Sequence, residues 1–436
     1  MPADLSAVSA QIRGIFRENQ RPRFLFARTG TLCYNNAASA YPVSHSIPKR
    51  SHVKWSRSFI LIAFGVFALS FNQGIDSSVS NNLFRQDLGI GGAQMGYYTA
   101  ARELVGFLMV FVAALTVSFS VSKVAGVALL LTAVGFASYS QVQSFSQLLP
   151  VAMIGSLGFH TWMQVYVVLG LSLSDEGYEG RVLGKLSSIG SIGTLLSMVI
   201  TFVVVNIIGM RAMFLVSALF LIPAGIGLMS IPRHPRLVRQ QGFVMKRRYG
   251  LYYLLNFLDG CRAQIAMTFA LFTLVDVYHV GVQSITLLLI ANAIVSWFAA
   301  PIFGAWIDRI GEKPILTLCY GISAPVFLAF AFIPNAIVLA VMYIFYQVFG
   351  LGMMARNTYL KKIADPADVS PSLAMGVSMM HVAAVIVPIT GSLLWQAFGY
   401  QVVFLLGFGF IVLSILATQF IQLPRLVAAP AASGGE

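Results

Sequence analysis

Residues 283–333 read QSITLLLIANAIVSWFAAPIFGAWIDRIGEKPILTLCYGISAPVFLAFAFI, two apolar runs flanking the charged stretch Asp308-Arg309-Ile310-Gly311-Glu312-Lys313. A helix rises about 1.5 Å per residue, so a run of about 20 residues crosses about 30 Å of hydrocarbon. The charges gather where the chain would turn round in water. The stretch reads as a membrane hairpin, and the same alternation continues in both directions.

Working outward, apolar runs recur at 57–79, 93–117, 124–142, 148–172, 182–207 and 211–231, then at 250–277, 283–305, 314–333, 336–360, 371–397 and 400–422. The sequence thus predicts an all-α integral membrane protein with twelve transmembrane helices. The breaks at 117–124 and 397–400 are the least marked. Residues 1–55, rich in Arg and turn formers and without the apolar core of a signal peptide, read as a disordered basic tail. The remaining divisions are a first bundle at 56–232, a basic linker at 233–249, a second bundle at 250–424 and a tail at 425–436.

Composition agrees. Hydrophobic residues make up 58% of the 436 and charged residues 10%, against about 25% charged in soluble domains. The net charge of +13 suggests nucleic acid, yet no basic stripe with interleaved aromatics appears, so no nucleic-acid partner is expected. The basic residues follow topology instead. With the N-terminus inside, the outer loops hold only Arg85 and Arg211 of 28 Lys and Arg. The positive-inside rule then places both termini and the linker in the cytoplasm and the chain in the cytoplasmic (inner) membrane. Cys33, Cys261 and Cys319 are too scattered for a metal site or disulfide framework.

The halves repeat at an offset of about 190 residues. Gly209 and Phe214 match Gly399 and Phe404, Ile231-Pro232-Arg233 matches Leu423-Pro424-Arg425, and Asp175 matches Asp365. Two pseudo-symmetric six-helix bundles about an axis along the membrane normal follow, meeting at a central cavity.

The loop Gly304-Ala305-Trp306-Ile307-Asp308-Arg309-Ile310-Gly311-Glu312-Lys313 resembles the cytoplasmic signature of the major facilitator superfamily. The resemblance implies a gate latch at Gly304, Asp308, Arg309, Gly311 and Lys313, with the glycine admitting a close helix approach and the charges pairing neighbouring helices. It also implies helices 1, 4, 7 and 10 around the cavity, with 3, 6, 9 and 12 outside. The first half departs from the pattern, with Ala114, Ser118 and Phe119 at the matching positions and only Lys123 retained. Helix 5 lacks the Gly-Pro-rich motif of many proton-driven drug exporters.

Ionisable side chains at membrane depth are costly and therefore functional candidates. Substrate-binding candidates are Asn72, Arg102, His160, Gln164, Arg262, Asn292, Gln347 and His381. Glu103 and Asp259 are the candidates for proton coupling, and Asp76 and Asp276 lie nearer the outer helix ends. Arg102 and Glu103 are adjacent, about 100° apart around a helix, so only one can face the cavity. Asp259 and Arg262 share a face and either pair with each other or serve an anionic solute. Two mid-depth arginines suit a carboxylate or phosphate.

These readings converge on a secondary active transporter that moves a small organic solute, anionic on the reading of the two arginines, by alternating access with proton coupling. The alternatives are an exporter of amphipathic or cationic compounds, and a non-transporting sensor or scaffold of the same fold. An enzyme is not expected. The histidines lie on separate helices, no nucleophile–base or metal-ligand constellation is legible, and no cofactor is called for. The expected partners are the solute and the bilayer, and the expected state is a monomer.

Overall fold

The computed structural model describes residues 55–116, 118–173, 179–231 and 245–422. The N-terminal tail, most of the basic linker, Asp175 and the C-terminal tail lie outside the described residues.

All the long elements are helices. In the first half α1 is Arg57–Asn82, extended by a π-turn at Leu83–Asp87. Helix α2 comes in two pieces, Gly92–Phe107 and Met109–Thr116, and is followed by α3 (Val121–Ser138), α4 (Phe145–Leu171), α5 (Glu179–Ile208) and α6 (Met210–Met229). In the second half α7 runs Gly250–Ile265, a π-turn Ala266–Ala270 and Leu271–Asp276. Then come α8 (Val282–Ile310), α9 (Glu312–Phe332) and α10, which is Ala336–Gly350, a tight turn Leu351–Met354 and Ala355–Ile363. Helices α11 (Pro366–Phe398) and α12 (Tyr400–Gln419) complete the chain.

Among the described residues, eleven of these are long and apolar enough to cross a membrane. The twelfth is α2, interrupted at Leu108, where the sequence had suggested one run. Local chemistry sets several boundaries. Ser56 Oγ accepts from Phe59 N–H at 3.1 Å, and Asn335 Oδ1 accepts from Ile337 and Val338 N–H at 3.0 and 3.2 Å, starting α1 and α10. Single glycines at positive φ, Gly209 (82°), Gly311 (91°) and Gly399 (87°), turn α5 into α6, α8 into α9 and α11 into α12. An L side chain rarely adopts that backbone, so the chain reverses there without a loop.

The packing repeats with the halves. Helix α1 packs on α5 and α6, as α7 packs on α11 and α12. Helix α3 packs on α4 and α6, as α9 does on α10 and α12. The bundles meet along α2–α11 and, equivalently, α5–α8. Outward-facing residues such as Leu219, Trp297, Phe332 and Phe398 stay largely uncovered. A belt of that kind requires lipid.

The α1–α2 end of the structure is closed. Arg85 of α1 pairs with Asp276 of α7, and Asn82 Nδ2 donates to Val280 O at 2.9 Å. Phe272 of the second half sits in a core cluster of the first. Helices α2 and α11 approach so closely that a Cβ on Gly96 would lie 1.9 Å from Ser392 Oγ and 2.3 Å from the Pro388 carbonyl. The opposite end holds a cleft.

Candidate functional site

The cleft has a volume of about 620 Å³ and is lined by α1, α4 and α5. Gln73 and Ser70 of α1, Trp162, Met163 and Tyr166 of α4, and Ser187, Ser191 and Thr194 of α5 form its walls. It lies toward the end where α4 runs into α5, and among the described residues no charged one lines it. Aromatic faces and hydroxyl or amide tips alternate.

Beside the cleft stands a cluster that bridges the bundles. Glu103 Oε2 of α2 is 3.4 Å from His381 Nδ1 of α11. The His160 ring of α4 packs edge-on to that of His381, with centroids 5.8 Å apart. The expectation that histidines on separate helices exclude a metal-ligand cluster is corrected here. Helices α2, α4 and α11 converge, bringing one ligand atom of Glu103, His160 and His381 each within 4.8 Å of the others.

Arg102 turns the other way, as its angular offset from Glu103 requires. Its guanidinium donates to Tyr98 OH at 3.0 Å, lies 3.5 Å from Asp76 of α1 and sits over the Tyr98 and Phe136 rings. Asp76 also accepts from Ser80 Oγ. This network lies inside the first bundle, about one turn beyond Gln73.

Several candidates are not in the cleft. Asn72 is fully buried and donates from Nδ2 to Ser217 of α6 at 3.1 Å, so it fastens helices. Asp259 and Arg262 pair with each other and are sealed within the second bundle. Arg356 Nη2 closes on the second oxygen of Asp259 at 2.8 Å, and Arg262 lies over Tyr346 at 4.9 Å and Tyr320 at 5.8 Å. The cavity-facing placement of Arg262 is therefore corrected, because its own helix supplies a counter-charge and aromatic walls. Gln347 donates to Tyr343 OH at 3.3 Å, Asn292 keeps a buried carbonyl without a partner among the described residues, and Gln164 is exposed.

The signature loop also differs from expectation. Asp308 and Arg309 are exposed and, among the described residues, make no ion pair. A Cβ on Gly304 would meet nothing within 4 Å, so close approach is not its role in this conformation. Gly311 earns its place through its φ of 91°. The buried acid is Glu312, paired with Lys362 Nζ at 2.6 Å, while Lys313 Nζ donates to Gln419 O at 2.7 Å. The turn before α11 is tied down as well, since Asp368 is buried and bound by Lys246 at 2.6 Å and Tyr249 OH at 2.7 Å.

The sequence reading missed Arg356, whose place near the end of a predicted helix made it look peripheral. It missed the cleft lining too, because Ser, Thr and Trp carry no charge to mark their depth. Asp76 was seen, but not its alignment with Arg102.

With this geometry in hand, the sequence profile of the Major Facilitator Superfamily matches residues 252–434. That match covers the second half of the chain, and the fold of both halves is one that solved transporters share. Its helices are those of a multi-pass membrane protein. Solved superfamily structures share the fold across both halves. The nucleoside transporter NupG superposes with a TM-score of 0.69 at 15% identity, covering 83% of this chain and 98% of its own. A D-xylose–proton symporter gives 0.66 at 14%, covering 84% and 98%. A bacterial homologue of the iron transporter ferroportin, inward-facing, gives 0.69 at 14%, again covering 84% and 98%. A search of curated proteins returned no match.

Proposed function

We propose that the chain is a member of the major facilitator superfamily and a secondary transporter for a small, uncharged, partly apolar organic solute, working by alternating access between its two bundles. The observation that carries the reading is the cleft of about 620 Å³, with no charge among its described lining residues, set away from the end that Arg85 and Asp276 close. Binding pockets for small molecules span about 300–1,000 Å³, with apolar walls and a few polar groups fixing orientation. Trp162, Met163 and Tyr166 offer a face for a flat or apolar moiety, and Gln73, Ser187, Ser191 and Thr194 offer hydrogen bonds. The anionic solute loses its support because both arginines proposed for it have internal counter-charges, Asp76 and Asp259. Two structural relatives are named for a nucleoside and for D-xylose, and both solutes present hydroxyls of the kind this lining would bind.

The end that holds the cleft carries the signature loop and the end of the basic linker, so in this reading it faces the cytoplasm. Proton coupling is assigned to Asp76. This acid sits about one turn beyond the cleft and holds Arg102 of the next helix, so protonation would release the guanidinium and let α1 and α2 shift. Asp259, clamped by two guanidiniums, is poorly placed for that role.

The test is uptake into proteoliposomes from a panel of labelled nucleosides, sugars and aromatic metabolites, with and without an imposed pH gradient. At least one solute should accumulate, and Ser191→Trp, which fills the cleft, should abolish its uptake while the protein stays monodisperse. Undiminished uptake by Ser191→Trp would displace the site, and uptake that ignores the gradient would remove the proton.

A further inference from the structure

We propose that Glu103, His160 and His381 form a binding site for one divalent first-row transition-metal ion, held between the two bundles. The three come from α2, α4 and α11, and one ligand atom of each lies within 4.8 Å of the other two. The inference is separate from the solute reading and uses none of the cleft residues.

Three observations fit a metal better than a plain ion pair. The first is spacing. His381 Nδ1 and Glu103 Oε2 stand 3.4 Å apart, whereas a charge-assisted hydrogen bond closes to about 2.8 Å. Two donors each about 2.1 Å from one ion at a tetrahedral angle lie about 3.4 Å apart.

The second is the tautomer of His160. Ser156 Oγ donates its proton to the Arg102 carbonyl at 2.8 Å, leaving only lone pairs toward His160 Nδ1, 3.1 Å away. The Ser156 carbonyl faces the same nitrogen at 3.0 Å. Both neighbours are acceptors, so Nδ1 carries the proton and Nε2 of the neutral ring carries the lone pair. Metal-ligating histidines are commonly fixed in this way, with the non-ligating N–H donated to a backbone carbonyl.

The third is space. A Cβ on Gly106 would lie 2.6 Å from His160 Nε2, so the absence of a side chain one turn after Glu103 leaves room for that nitrogen. All three ligands are partly accessible, which gives an ion a route in.

Two imidazoles and one carboxylate suit zinc, cobalt, nickel or ferrous iron over magnesium or calcium. Three protein ligands leave a coordination position for water. Because α2 and α4 belong to one bundle and α11 to the other, an occupied site staples the bundles in this conformation. Zinc should therefore slow transport.

The test uses the purified full chain in lipid nanodiscs, with Zn²⁺ calorimetry and the visible absorption of Co²⁺ as readouts. The wild type should bind one Zn²⁺ per chain, and Co²⁺ should give the intense d–d bands of a low-coordinate site. Glu103→Gln, His160→Ala and His381→Ala should each weaken binding by about tenfold or more. Replacing His45, His52, His234 and His279 together should leave binding unchanged. His160→Cys keeps a ligand in place, so it should retain Co²⁺ and add a thiolate charge-transfer band, a result that mere misfolding does not produce. Absence of wild-type binding, or unchanged affinity in a Glu103→Gln/His381→Ala double variant, would overturn the proposal. Neither readout involves transport, so its failure is distinct from failure of the solute reading.

Discussion

Consider replacement of Asp259 by Asn. This carboxylate receives Arg262 on one oxygen and Arg356 on the other, with side-chain exposures of 5%, 3% and 9% for the three residues. The triad has one acid for two bases, so its members are not equivalent. Removing the acid strands two buried guanidiniums side by side, and stranding a buried charge costs about 3–5 kcal/mol. Arg262→Met leaves Asp259 and Arg356 as a matched pair. It also removes Nε and Nη1 of Arg262, which are buried without partners, and each unmet buried donor costs about 1–3 kcal/mol. The lost attraction and the relieved desolvation nearly offset, leaving a net loss of about 0–2 kcal/mol. At about 2 °C per kcal/mol, a large chain's share, Asp259→Asn should lower the melting midpoint by about 6–10 °C and Arg262→Met by less than about 4 °C. The assay is tryptophan-fluorescence melting in one detergent at one scan rate, because unfolding of such proteins is irreversible and only matched scans compare. Equal or reversed losses would refute the reasoning. So would an Asp259→Asn protein that melts like the wild type and fails only in transport, as a cavity-facing acid would.

Other expectations follow from the same packing. Lys362→Met should strand the buried Glu312 and lower the midpoint, and adding Glu312→Gln should restore most of it in a double-mutant melting series. Gly96→Leu should prevent closure of the α1–α2 end, seen as faster thiol labelling of a cysteine introduced at His279, because its Cβ would meet the Pro388 backbone. Arg85→Ala removes a partly exposed pair and should change stability by less than about 1 kcal/mol, while also speeding labelling at that end. Asp76→Asn should keep solute exchange between equilibrated compartments and lose accumulation driven by a pH gradient.

Much of the architecture was legible because lipid imposes a strong rule on every span. Apolar length located the helices, and the offset pairing Gly209 with Gly399 was sound because both residues make the same positive-φ reversal between packed helices. The break at Leu108 was not legible, since an apolar run carries no mark of a helix interruption. The site was read less well. Depth along a helix can be counted, but rotation about its axis depends on partners that sequence separation hides. For Arg262 the sequence left two readings, a pair with Asp259 or a solute contact, and what it hid was the second arginine on α10 that completes the pairing. Glu103, His160 and His381 were each named, and their meeting was denied because separate helices were taken to mean separate places.

Alternating access itself is tested most directly by distances across the two ends measured in one sample. Spin labels at Gln86 and His279 report the closed end, and labels at Ser188 and Lys361 report the end that holds the cleft; all four side chains are exposed. In nanodiscs, pulsed dipolar spectroscopy should find two populations for each pair, moving in opposite senses as pH or zinc shifts the balance. Two single, invariant distances, or two that lengthen together, would contradict a rocking transporter.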